Sequence, residues 1–218
     1  MQNDWASENL KVIRILMERS AVYRRALAPV MSLVGVTGLA AGGLGMARGF
    51  ETSRPFAAYW AAIAVLCMAE AFLLIRRQAI REVEPFWSPP TCRIARAVSP
   101  AFFTGLVIGI AYFAVDTAKW DLVLLLILIW MVLYGLAMHA AGFFMPRGFR
   151  LFGWGYIVAG LAGIGYWIAH PAAHPVLAGA ETDIPLGSSN MVMGVLFGGG
   201  HALYGIFLYF TEKRRTVV

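Results

Sequence analysis

Charged side chains are scarce in this sequence. Only 14% of the 218 residues are Asp, Glu, Lys or Arg, whereas 60% are hydrophobic. A soluble domain usually carries about 25% charged residues, because it needs them to cover its surface. The shortage excludes an ordinary soluble protein and favours a chain surrounded by lipid.

The signatures of most enzyme classes are also missing. There are two cysteines, Cys67 in an apolar run and Cys92 in a basic loop, and they form no CxxC metal motif and predict no disulfide. No nucleophile elbow, phosphate-binding loop or pair of catalytic carboxylates is present. The N-terminal residues do not resemble a signal peptide. We therefore expect no metal, no cofactor and a non-enzymatic role.

What the sequence does have is a series of apolar runs long enough to cross a bilayer. A helix of about 20 residues spans roughly 30 Å of hydrocarbon. The sequence predicts an all-α, polytopic transmembrane bundle formed by residues 28–212, preceded by an interfacial segment, 1–27, and followed by a tail, 213–218. Six spans are predicted: 28–47, 56–75, 100–115, 122–144, 151–168 and 191–210.

The distribution of positive charge predicts the orientation of these spans. Fifteen of the 18 Lys and Arg residues lie in the N-terminal segment, the loops after spans two and four, and the C-terminus. The other side has Arg48, Arg54 and Lys119. Because cytoplasmic loops carry the positive excess, we expect both termini to be cytoplasmic. The basic residues flank the membrane, so they do not indicate nucleic-acid binding.

The segment 8–26 has the pattern of an amphipathic helix. Leu10, Ile13 and Met17 recur at helical spacing, and arginines such as Arg14 and Arg19 occupy much of the remainder. This pattern is typical of a helix that lies along an anionic inner leaflet. A cytoplasmic cap on the bundle is the alternative.

Glycines repeat at four-residue spacing inside the spans. The pairs are Gly38/Gly42, Gly105/Gly109 and Gly194/Gly198. This spacing lets two helix backbones approach closely, and we expect the contacts to lie within the bundle. The run 198–200 predicts either a close helix crossing or a kink beside His201.

Ionisable groups inside spans are costly and therefore mark candidate sites. Three are present: Glu70, His139 and His201. Glu70 and His139 fall at similar predicted depth, where they could form a proton relay, a ligand contact or a structural pair. Asp116 and Asp121, with Lys119 between them, are expected to form a solvated turn.

Haem is an alternative near His201. Two axial histidines must lie at one level, but His139 and His201 are offset by about 10 Å along the membrane normal. His170 and His174 have helical metal-ligand spacing, but Pro171 and Pro175 disfavour a helix there. Neither arrangement favours a haem or metal site.

Four stretches carry a resemblance to a known family. They are 10–14 together with 17–20, Phe86-Trp87-Ser88-Pro89-Pro90, Trp130-Met131-Val132-Leu133-Tyr134-Gly135 and the segment 197–205. Together the stretches resemble a group of uncharacterised bacterial six-span membrane proteins, which are often encoded beside small winged-helix transcription regulators. The resemblance implies an inner-membrane protein with a regulatory role and a cytoplasmic regulator as partner. It implies no catalytic residue.

Three functions follow from the sequence. The first is a non-enzymatic sensor or regulatory partner that binds a small apolar or lipid-like ligand within the bundle. The second is a small proton-coupled transporter that uses Glu70 and His139. The third is the membrane anchor of a redox complex, with haem or quinone near His201.

Overall fold

A computed structural model describes residues 27–81, 83, 86–87, 89–117, 119–145, 147–170 and 187–215. Within these ranges the regular structure is helical, and six helices are long and apolar enough to cross a membrane. The predicted amphipathic segment, residues 8–26, lies outside the described residues, as does His174. The helical elements are α1 (Leu27–Arg48), α2 (Ser53–Arg81), α3 (Pro89–Val115), α4 (Trp120–Ala141), α5 (Arg147–Ala169), α6 (Ser188–Met193), a π-helical turn (Gly194–Gly199) and α7 (Gly200–Arg215).

The sixth apolar helix, Ser188–Thr211, is interrupted in its helical pattern. It begins as α6, passes through the π-helical turn Gly194–Gly199 and continues as α7. We refer to this whole helix as the sixth span. A π turn widens the helix locally and is frequent at functional sites.

Helix α3 begins well before the predicted third span. It starts at Pro89, whereas the sequence-based prediction placed the start of this span at Pro100. Pro89 and Pro90 occupy the first turn, where the missing N–H costs nothing. Pro100 lies inside the helix, and its carbonyl accepts a hydrogen bond from Thr104 Oγ1 at 2.9 Å.

Helix α4 is the centre of the bundle. It packs against α3, α5 and α6, while α2 packs against α3. The buried residues of α4 run along its length, from Val123 and Leu126 near its start to Met138 and Ala141 at its end. Most of α2 and α3 is exposed, as expected for helices that face lipid.

Helix α1 packs along the sixth span through glycine. A Cβ built on Gly38 would lie 2.8 Å from the Cα of Gly198, and one on Gly42 would lie 2.7 Å from that of Gly194. The order of these contacts makes the two helices antiparallel. The expectation that both glycine pairs pack within the bundle is confirmed. Gly105 and Gly109 instead face the indole ring of Trp130.

Two turns at one end of the bundle are held together by Ser53. Helix α1 ends at Arg48, and the next residue, Gly49, has a φ of 62°, which glycine adopts readily. Ser53 then exchanges hydrogen bonds with Thr117, its N–H donating to the Thr117 carbonyl at 2.7 Å and its hydroxyl accepting from the Thr117 N–H at 2.9 Å. These bonds connect the α1–α2 turn to the α3–α4 turn.

Candidate functional site

His201 lies in the interior of the bundle, immediately after the π turn. Its side chain is 5% exposed. The Nε2 atom lies 2.5 Å from the hydroxyl of Tyr134 on α4, and Nδ1 lies 2.5 Å from the carbonyl oxygen of Phe197. His201 therefore joins α4 to the widened part of the sixth span.

These two contacts determine the protonation of the ring. A carbonyl oxygen can only accept, so Nδ1 must carry a proton and donate to Phe197. In a neutral imidazole the other nitrogen is then an acceptor, and the Tyr134 hydroxyl donates to it. The result is a directed chain from Tyr134 through His201 to the backbone.

Tyr156 of α5 binds the same π turn. Its hydroxyl donates to the Leu196 carbonyl at 2.7 Å. Glycine makes room for it, because a Cβ at Gly200 would overlap the Tyr156 hydroxyl. The π turn thus presents two carbonyl oxygens to side chains, one to His201 and one to Tyr156.

Aromatic rings enclose this polar group. The Phe152 ring meets the imidazole of His201 edge-on at 5.5 Å and stacks on Tyr204 at 4.6 Å. The Tyr204 hydroxyl is buried without a hydrogen-bond partner. We call this set the His201 centre; its members are Tyr134, Phe152, Tyr156, Phe197, His201 and Tyr204.

Glu70 lies elsewhere, between α1 and α2. Its Oε1 accepts a hydrogen bond from Thr37 Oγ1 at 2.9 Å, while Oε2 is buried and has no hydrogen-bond partner. The contact with Thr37 links α2 to α1, and another side-chain hydrogen bond links the same two helices. That bond runs from the Tyr59 hydroxyl to the Ala41 carbonyl at 2.7 Å.

His139 lies near the end of α4, against α5. Its ring packs on Phe143 and Trp154, each at a centroid distance of 5.4 Å, and its Nδ1 is buried without a hydrogen-bond partner. Among the described residues, no hydrogen bond or ion pair joins His139 to Glu70. The three candidate residues therefore occupy three separate environments.

The geometry of His201 does not fit a haem ligand. An axial nitrogen must point at the iron, but both ring nitrogens are engaged, Nε2 by the Tyr134 hydroxyl and Nδ1 by the Phe197 carbonyl. His170 is occupied by its own helix, with Nδ1 3.0 Å from the Tyr166 carbonyl. Within the described ranges, no three His, Cys, Asp or Glu side chains are grouped to hold a metal ion.

One buried polar layer was missed by the sequence analysis. Asn190 is fully buried: its Oδ1 accepts from Trp60 Nε1 at 2.9 Å, and its Nδ2 donates to the carbonyls of Gly45 and Gly187 at 3.3 Å. It joins α1, α2 and α6 at the end of the bundle that also holds Ser53. No charge or motif in the sequence marks this residue.

Asp121 belongs to the same end, and here the prediction of a solvated turn is wrong. Asp121 is 1% exposed, and neither carboxylate oxygen has a hydrogen-bond partner. Ser189 is equally buried, and its hydroxyl also has no partner. Trp120 Nε1 donates to Ser188 Oγ at 3.0 Å, which brings the first turns of α4 and α6 together. Packing of α4 against α6 therefore buries a residue that sequence pattern alone places at the surface.

The described residues form an all-helical arrangement, and its six long apolar helices indicate a multi-pass membrane protein. Comparison of the chain with protein-family models, with curated proteins and with solved structures gives no match.

Proposed function

We propose that this protein is a non-enzymatic module of the bacterial inner membrane that acts as a sensor or regulatory partner. Both termini are cytoplasmic in this proposal, as the distribution of Lys and Arg favours. A small apolar or lipid-like ligand binds within the bundle, and a cytoplasmic transcription regulator is the partner that the family resemblance suggests.

The observation that carries the ligand proposal is the composition of the His201 centre. Its aromatic rings offer apolar contact area, and the Tyr204 hydroxyl is a buried polar group without a partner. Ligand sites commonly combine an apolar lining with a few convergent polar groups. A ligand with one hydrogen-bonding group would satisfy Tyr204 while its apolar part packs on Phe152.

The π turn supports a role in signalling. It places the ligand-facing residues directly beside the helix interface with α1, since Gly198 contacts both Gly38 and Leu39. A change in the π turn would shift α7, whose C-terminal end leads to the cytoplasmic tail of the proposal. A segment that can change between two helical arrangements is a recognised switching element.

The test is genetic and uses matched variants. Deleting the gene should change transcripts of neighbouring genes, and Tyr204→Phe should reproduce much of that change at unchanged protein level. Tyr166→Phe, which alters an exposed tyrosine of α5, should behave as wild type. A deletion that leaves every neighbouring transcript unchanged would remove the regulatory role, and co-purification with a cytoplasmic regulator would support it.

A small proton-coupled transporter is the second candidate function. Glu70 and His139 do not favour a transporter, because the two side chains are not in contact. What favours it is the unpartnered carboxylate of Asp121 beside α6, together with the free Oε2 of Glu70. Buried carboxylates within spans are frequent proton carriers.

Proteoliposomes that contain a pH-sensitive dye distinguish the two candidates. A proton carrier predicts protein-dependent proton movement in response to an imposed pH gradient, with loss of that movement in Asp121→Asn. Asp116→Asn is the matched control, since Asp116 is paired with Arg54 at the surface. Proton movement that is the same with and without the protein would exclude the transporter hypothesis.

A further inference from the structure

The junction of α4 and α5 gathers a cation and an imidazole on an aromatic surface. The guanidinium carbon of Arg150 lies 5.4 Å from the centroid of the Phe143 ring, and the ring of His139 packs on both Phe143 and Trp154. Gly142 lets Arg150 approach α4, since a Cβ there would overlap the Arg150 side chain. We call these four residues, His139, Phe143, Arg150 and Trp154, the Arg150 corner.

Among the side chains that the structure describes, neither the Arg150 guanidinium nor the His139 ring has an anionic partner. Among the described side chains, the ion pair that is formed joins Arg54 to Asp116 at the other end of the bundle, and Arg150 makes none. The Nδ1 atom of His139 is buried and makes no hydrogen bond. The guanidinium fork of Arg150, which lies over the exposed Phe143 ring, matches the oxygens of a phosphate group.

The surroundings of the corner match the rest of a lipid molecule. Phe143 and Trp154 are 65% and 50% exposed, and they are flanked by exposed Leu136 and Leu151. Arg150 and Trp154 lie in the first two turns of α5, near the end of a membrane-crossing helix. Tryptophan and arginine at this level lie where headgroups meet acyl chains.

We propose that the Arg150 corner binds the phosphate of an anionic phospholipid. Arg150 holds the phosphate oxygens through its fork, the ring of His139 supports the aromatic surface beneath it, and an acyl chain lies on Leu136 and Leu151. The occupant is a bilayer lipid rather than free phosphate, because the exposed apolar side chains border the cationic group on the same surface. This site is independent of the His201 centre.

The test compares lipids on the purified full-length chain by native mass spectrometry and thermal stability in detergent. Phosphatidylglycerol should remain bound and raise the melting temperature, whereas phosphatidylcholine should do so much less. Arg150→Gln should weaken phosphatidylglycerol binding about tenfold, as expected for loss of one charge-assisted contact. His139→Phe keeps the ring packing and should leave phosphatidylglycerol binding close to that of the wild type, because Nδ1 is buried.

Controls separate this site from general attraction of anionic lipid to a basic protein. Arg93→Gln removes one exposed arginine from α3 and should change the affinity by less than about twofold. Inorganic phosphate should give no stabilisation. Equal binding of the two lipids, equal effects of Arg150→Gln and Arg93→Gln, or protection by inorganic phosphate alone would each overturn the proposal. If Arg150→Gln does not fold, Arg150→Lys tests the fork, and the wild-type lipid comparison remains decisive.

Discussion

Gly42 of α1 and Gly194 of the sixth span lie in backbone contact: a Cβ added to either would fall 2.7 Å from the Cα of the other. Without a hydrophobic driving force between helices in lipid, such close approach is a main source of helix association. The contact between the first and last helices closes the bundle.

Substitution of Gly42 should therefore destabilise the bundle. Gly42→Ala inserts a methyl group where a neighbouring backbone already lies, and we expect a loss of about 1–3 kcal/mol in the free energy of unfolding. Gly43→Ala is the matched control, since no atom outside its own stretch of helix lies within 4 Å of its Cβ position. Thermal unfolding in detergent checks both variants, and equal melting temperatures would contradict this account of the interface.

The His201 ring should carry its proton on Nδ1. Nitrogen NMR of the labelled protein should give a protonated Nδ1 and an unprotonated Nε2, because the Phe197 carbonyl can only accept. Tyr134→Phe removes the donor to Nε2 and should shift that nitrogen while leaving Nδ1 in place. The same variant should cost about 1–3 kcal/mol, since it leaves a buried acceptor unpaired. A proton on Nε2 in the wild type would refute the assigned chain.

Trp60 and Asn190 should be energetically coupled. Asn190→Leu leaves the Trp60 N–H and the Gly45 carbonyl without a partner, and we expect it to cost about 2 kcal/mol or more. Trp60→Phe removes the donor, so the double variant should be less destabilised than the two single effects together predict. A double-mutant cycle measures this coupling, which should be about 0.5–3 kcal/mol. Pairing Asn190→Leu with the exposed Trp154→Phe should give additive effects instead.

Asp116 should contribute stability that depends on pH. A hydrogen bond from the Thr52 side chain, then the Arg54 N–H and the Arg54 charge, hold the pKa of Asp116 below its ordinary value of 3.8. A lowered folded-state pKa means that the contribution is complete above the unfolded value and is lost as pH falls through the folded one. Asp116→Asn should thus be slightly less stable than wild type at neutral pH. The stability difference between Asp116→Asn and wild type should vanish at acidic pH. A stability difference that stays constant from neutral to acidic pH would contradict this prediction.

How far the sequence predicts the fold depends on the range of the interaction. The apolar run at 28–47 coincides closely with α1, Leu27–Arg48, because the length of such a run depends only on local composition. The start of α3 was missed, since Arg93, Arg96 and Pro100 make its first turns look like a loop. Glycine spacing predicted close packing but could not identify which helix is the partner.

The candidate site was less accessible to sequence reasoning. His201 was singled out as a costly ionisable group, but its partner Tyr134 is 67 residues away, and nothing in the sequence pairs the two side chains. The burial of Asp121 depends on how the first turn of α4 meets α6, which is a non-local property. A charged residue at the end of an apolar run ordinarily indicates solvent, and here that general rule fails.

The most direct test of the membrane assignment is a fractionation experiment that determines whether lipid surrounds the chain. Cells that contain the full-length protein are lysed without detergent, and the membranes are washed with alkaline carbonate. The six apolar helices predict that the protein stays in the membrane pellet and is released only by detergent. Recovery of folded protein from the aqueous fraction would contradict the account at its foundation.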